Sequence, residues 1–145
     1  MRDGHSWPSC PYSVQETRVA SRLKVKVNMS ITIVNTTKNT IVCMRSVFAN
    51  TGMRRLVGLL GKKQLEPETG LLIKPSSGVH TFGMRFPIDI VSLDRNNRVL
   101  GVWENIGPWR IRALSLRTRS VLELPSGRIR ECLIEAGDEL AVKHD

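Results

Sequence analysis

The sequence predicts a mainly β protein: a small single-domain β-sandwich or barrel with one or two short helices. Three observations carry that reading. Short runs of β-branched and aliphatic residues recur between turn signals from Ile31 to Val142. Aromatic residues are only 5% of the chain, so a core drawn from its 41% hydrophobic content must be built mainly of Ile, Leu and Val, which suit a pleated surface. Only two stretches show helical spacing, and both are short. At 145 residues, one modest core and one domain are expected.

Taken in order, residues 1–28 are polar and contain Pro8 and Pro11, and they read as a disordered or loosely attached leader. Met29, followed at once by a strand, is an alternative start, and the single β-rich domain is expected over 29–145. Ile31–Val34 and Thr40–Met44 read as a hairpin around an Asn/Thr/Lys link. Met53, Leu56, Val57 and Leu60 mark one face of a helix that Gly61 ends. Gly70–Ile73 is a short strand and Pro75–Gly78 a turn. Val79–Met84 alternates as a strand, with His80, Phe82 and Met84 on one face and Thr81 and Gly83 on the other. Pro87 predicts a kink, because it donates no ladder hydrogen bond.

Beyond it, Ile88–Leu93, the turn Asp94–Asn97 and Arg98–Trp103 form an antiparallel hairpin. Asn105, Gly107 and Pro108 break the pattern before Trp109–Arg112, a half-exposed strand. Ser120–Leu124 is a strand closed by Pro125–Gly127. Arg128–Glu135 reads as a short helix burying Ile129, Cys132 and Leu133, with Gly137 as its C-terminal cap. Leu140–Val142 is the last edge strand.

Charge and cysteine usage narrow the class. The net charge is +9, which favours anionic partners without selecting among them. From Arg110 to Arg119 there are four arginines and no acid. Three cysteines without C-x-x-C spacing are neither a disulfide framework nor a zinc site; reduced thiols in the cytoplasm are expected. No run is long and apolar enough for a membrane span, and the N-terminal stretch lacks the apolar centre of a secretory signal.

Within the stretch 78–93, a histidine, an arginine and an aspartate sit among apolar residues. Asp89 is the sharpest, because Ile88, Ile90 and Val91 demand burial and a buried carboxylate needs partners. It either pairs with Arg85 or accepts main-chain hydrogen bonds across a turn. His80, Asp89 and Glu123 are the candidate catalytic residues if they converge, since histidine titrates near neutrality and paired carboxylates split their pKa values. No serine lies in a strand-to-helix elbow, Cys43 and Cys132 fall on apolar faces, and phosphate-cradling glycine motifs are missing. Metal ligation has no H-x-x-x-H or cysteine pair behind it, and no cofactor is expected.

The motifs Arg55–Gly61, His80-Thr81-Phe82-Gly83-Met84-Arg85-Phe86-Pro87-Ile88-Asp89-Ile90, Val121–Gly127 and Gly137-Asp138 together resemble the prokaryotic family catalogued as domain of unknown function 192. The resemblance runs from about Ser46 to Val142, and four motifs in order make it specific. It is similar to the branch with Phe-Gly-Met-Arg-Phe-Pro at its centre. The resemblance implies a small β-sandwich and no established activity. Many other members carry an export signal or lipoprotein anchor; this chain shows neither.

Two functional readings follow. The first is a small cytoplasmic binding or adaptor module whose basic and partly aromatic surface, with Arg85, Trp109, Arg110 and Arg112 as ligand-binding residues, meets an anionic small molecule or protein. The alternative is a hydrolase-like enzyme using His80 with Asp89 or Glu123. Nucleic-acid binding through Trp103 and Trp109 is a lesser third.

Overall fold

The structure, a computed structural model, describes residues 31–49, 65–113 and 115–144. The leader 1–28, the helix expected over Met53–Leu60 and the motif Arg55–Gly61 lie outside the described residues.

The fold is mainly β, as the runs of Ile, Val and Leu predict. The first hairpin joins β1 (Ile31–Asn35) and β2 (Thr40–Ala49), with Asn35 opposite Thr40. Its turn is closed by Asn35 Oδ1, which accepts from the N–H groups of Thr37 and Lys38 at 3.1 and 3.2 Å. The second hairpin joins β5 (Ile88–Leu93) and β6 (Val99–Ile106). With β3 (Thr69–Ile73), β8 (Ser120–Pro125) and β9 (Leu140–His144), they form one seven-stranded sheet in the order β6-β5-β8-β3-β2-β1-β9. Among the described strands only the β2–β3 pair is parallel. The sheet curls until its edges meet: Val99 N–H donates to Asp138 O at 2.8 Å, Gly137 N–H to Val99 O at 2.8 Å and Leu140 N–H to Asn97 O at 3.0 Å. Curling one sheet onto itself protects edges that a flat sheet leaves open.

A second sheet has two short strands, β4 (Val79–His80) and β7 (Ile111–Arg112). Helix α1 (Arg128–Glu131) lies after β8. Alternation in β3, β5 and β8 sends side chains into two cores. Leu72, Val91, Leu93, Leu122 and Leu124 join Ile129 and Cys132 on one face, while Leu71, Ile73, Ile88, Ile90 and Val121 meet Val79, Met84, Phe86 and Ala113 on the other. Burial on both faces explains why β5 and β8 read as nearly continuous apolar runs.

Three expectations are corrected. The strand expected over Val79–Met84 stops at His80; Thr81 accepts the N–H of Met84 at 3.3 Å in a turn and Gly83 takes φ +78°, so Met84 is buried while His80 and Phe82 face out. β6 runs on to Ile106 instead of breaking after Trp103, because a bulge absorbs the extra residue: Ile90 faces Trp103 but Ile88 faces Ile106. The last helix ends at Glu131 rather than Glu135. Leu133, at φ +54°, closes it: Leu133 N–H donates to Arg130 O at 3.3 Å and Ile134 N–H to Ile129 O at 3.0 Å, the bond pattern of a Schellman cap. Leaving the helix there buries Ile134 and exposes Leu133; Gly137, at φ +96°, turns the chain towards β9 instead.

Gly70 has a packing reason to be glycine. A Cβ there would stand 2.9 Å from Cys43 Sγ and 3.3 Å from Leu124 Cδ2, and Cys43 Sγ is itself held 2.7 Å from Ser46 Oγ. Gly70→Ala is therefore expected to destabilise by about 1–2 kcal/mol, overpacking outweighing the backbone gain. In urea denaturation, the double variant with Cys43→Ala should lose less stability than the two single losses summed, since the thiol is what the new methyl strikes.

Candidate functional site

Asp89 is fully buried on β5, and its partners are main-chain. Oδ1 accepts the N–H of Asn105 at 2.8 Å and Oδ2 the N–H of Ile129 at 2.9 Å. The β6 bulge makes the first bond possible, with Asn105 at φ +51°, a conformation asparagine tolerates better than most residues. The second bond falls in the first turn of α1, where Gly127 at the N-cap provides no side-chain cap. Asp89 thus caps the helix from a neighbouring strand, a carboxylate on N–H groups that the helix itself leaves open.

Arg128 fastens the same turn from the other side. It is buried; Nε donates to Val42 O at 2.8 Å, Nη2 to Ile41 O at 3.2 Å, and Nη1 to Glu131 Oε2 at 3.0 Å. Of the two partnerships expected for Asp89, main-chain hydrogen bonding is the one formed. Arg85 is exposed.

The three candidate catalytic residues do not converge. Asp89 lies opposite Leu124, on the face of Val91 and Leu122; Glu123 lies opposite Ile90 and Leu71, on the other face of the same sheet. Glu123 is fully buried. His80 belongs to the small sheet, where it is exposed and opposes Ile111. A groove of about 370 Å³ runs between Phe86-Pro87, Pro125-Ser126 and the Arg128–Glu131 pair, and none of the three lines it. An acid/base pair of His80 with Asp89 or Glu123 has no geometry in this fold.

The small sheet gathers other residues. His80 stacks on Phe82 at 5.0 Å between ring centroids, and Phe82 on Trp109 at 5.6 Å. Trp109 is 67% exposed, Ile111 47% and Phe82 43%. Trp103, by contrast, packs against the core. Thr81, which sequence reasoning placed merely on the opposite strand face, holds the presenting turn. Its Oγ1 donates to Gly107 O at 2.8 Å and accepts the N–H of Arg110 at 2.9 Å; its own N–H donates to Arg110 O at 2.8 Å and its carbonyl accepts the N–H of Trp109 at 3.1 Å. Arg110, Arg117 and Arg119 are exposed and Arg112 is half-buried. Of the proposed ligand residues, Trp109, Arg110 and Arg112 share this segment.

Other chemistry finds little footing. Burial pushes the Cys43 thiol up to about 11, against the opposing pull of Ser46 and Arg128, so it is protonated at neutral pH. Cys132 is buried, and its Sγ donates to Ile41 O at 3.5 Å. Among the described residues no group of three or more His, Cys, Asp or Glu is placed to hold a metal ion.

The Asp89 geometry makes a direct prediction. Asp89→Ala leaves two N–H groups without their acceptor, at about 1–3 kcal/mol each where buried, so a loss of about 2–4 kcal/mol is expected in urea denaturation. Asp89→Asn should cost nearly as much, since its amide can present an oxygen to only one of the two donors. A loss below about 1 kcal/mol in both variants would contradict this role.

Comparison with known proteins agrees with the architecture. A UPF0127 protein of Pyrococcus horikoshii is 32% identical over 114 residues, covering 74% of this chain and 96% of that protein. A UPF0127 protein of Pyrococcus furiosus is 28% identical over 115 residues, covering 74% and 95%. The crystal structure of a protein of unknown function from Novosphingobium aromaticivorans superposes with a TM-score of 0.67 at 22% identity, over 84% of this chain and 91% of that one. The profile of the DUF192 family, described as "Uncharacterized ACR", matches residues 32–142, and the chain belongs to that family.

Proposed function

We propose that this domain is a non-catalytic cytoplasmic binding or adaptor module whose recognition surface is the outer face of the β4–β7 sheet and the arginine segment that follows it. The observation that carries this reading is the exposed His80–Phe82–Trp109 stack beside four arginines with no acid between them. Rings left in water cost free energy that a ligand recovers, and an uncompensated positive segment selects an anionic one. The nearest acids in sequence do not cancel it: Glu104 pairs with Arg130 at 2.8 Å and Glu123 is buried. Arg85, exposed on the turn that follows Phe82, extends the same positive field. Cys43, a free thiol in the core, is in keeping with a reducing compartment. Among the described residues no helix is long and apolar enough to cross a membrane.

The hydrolase-like alternative has no observation in its favour, since His80, Asp89 and Glu123 point to separate regions. Replacing Arg110, Arg112, Arg117 and Arg119 together by Gln is expected to remove most salt-sensitive retention on a heparin column. Circular dichroism should stay parental, because the side-chain bonds of these arginines among the described residues hold no other element in place. Unchanged retention would overturn the assignment of the anion-binding surface to this segment.

A further inference from the structure

Seven large hydrophobic residues are exposed among the described residues, and four of them, Phe82, Trp109, Ile111 and Leu116, lie on the small sheet and its continuing loop. Leu116 is the extreme case at 92% exposure. It sits at the tip of a tight turn in which Thr118 N–H donates to Ser115 O at 3.1 Å and Arg117 N–H to Ser115 Oγ at 3.2 Å. Thr118 is buried and its Oγ1 donates to Ala113 O at 3.2 Å, while Ser115 N–H donates to Ser77 O at 3.1 Å. The turn is therefore anchored beside the start of β4, and the leucine is held outward rather than left to fold back. Turn tips ordinarily carry Gly, Asn, Asp or Ser.

We infer that the anionic ligand is the headgroup layer of a lipid bilayer, on which the domain docks peripherally with Leu116, Trp109 and Ile111 immersed and the arginines on lipid phosphates. This rests on the anion-binding reading above and deepens it. Charge complementarity demands an anionic occupant, and the aliphatic tips choose between kinds. Leu116 and Ile111 contribute nothing to base stacking or to a soluble polyanion, whereas an interface takes apolar tips below and cations at its surface. The indole of Trp109 suits the headgroup level, apolar at one edge and hydrogen-bonding at the other. The rings also already cover part of one another's faces, at 5.0 and 5.6 Å, leaving less of them for bases.

The test is cosedimentation of the full chain with phosphatidylcholine vesicles, with or without roughly a third of phosphatidylglycerol, at about 0.1 M salt. The parent is expected to sediment with the anionic vesicles and not with the neutral ones. Leu116→Asn should lower the bound fraction about tenfold and leave heparin retention parental, because it changes no charge, and at 92% exposure it leaves the fold intact. The four-arginine variant should lose both activities. A parent that stays on heparin but does not sediment, or a Leu116→Asn chain that sediments like the parent, overturns the lipid assignment and spares the anion-binding reading. So does tight binding of a single-stranded RNA oligonucleotide without vesicle binding. A parent held by neither heparin nor vesicles overturns both.

Discussion

One carboxylate ties three parts of this domain together. Asp89 stands on β5, takes the N–H of Asn105 from the β6 bulge and the N–H of Ile129 from α1. Without it, the bulge has an orphan donor and a four-residue helix has no side-chain cap. Helices that short do not persist on propensity. Their burial depends on tertiary bonds, here Asp89 on one side and Arg128 reaching the β2 carbonyls on the other. The two side chains place Ile129 and Cys132 over the face of Leu122 and Leu124, where they complete the larger core.

A second buried carboxylate solves a related problem differently. Asp138 Oδ2 accepts the N–H of Glu135 at 3.1 Å and the amide of Asn35 at 2.7 Å, and it also meets Lys38 Nζ at 3.1 Å. Lys38 further donates to Leu133 O and pairs with Glu135 at 2.8 Å. Burial pulls the Lys38 pKa down, but bonds to Glu135 and Asp138 outweigh that and hold it above its ordinary value. A lysine raised in the folded state stabilises below its unfolded pKa, and that contribution fades only as pH climbs through the folded one. This corner, where the curled sheet meets itself, is thus charge-compensated. The Asp89 carboxylate instead accepts two peptide N–H groups.

Sequence patterning carries most strands because their apolar runs and turn residues agree: Ile31–Asn35, Thr69–Ile73, Ile88–Leu93 and Ser120–Pro125 fall where periodicity puts them. It also carries the burial of Asp89, since Ile88, Ile90 and Val91 leave a carboxylate nowhere else to go. The partners of Asp89 are not legible, because they are main-chain groups whose positions depend on a bulge and a helix start. The strand reading of Val79–Met84 fails at Thr81 for a similar reason. A threonine alternating with apolar residues looks like a strand residue, and only the loop arriving from Gly107 to Arg110 shows that its hydroxyl holds a turn. The aromatic stack was half legible: Phe82 and His80 share parity, but Trp109 joins them from 27 residues away through a left-handed backbone conformation at φ +62°.

These arrangements bear on where function can reside. Both oxygens of Asp89 accept an N–H group that fixes the fold. That is an architectural role, in an apolar setting that resembles that of a catalytic acid. Glu123 lies beneath the opposite face, fully buried between Leu71 and Ile90, where a ligand would have to displace core side chains to reach it. The outer face of the small sheet, by contrast, is accessible. There the backbone is unusual, with Trp109 and Ala113 both at positive φ, and it is secured by Thr81 and Thr118, two buried threonines bonded to loop carbonyls. Conformations that cost of order 1–3 kcal/mol persist only where the surroundings over-determine them. Here they present rings, an exposed leucine and arginines outward, so the strain is spent on the surface that a partner would touch.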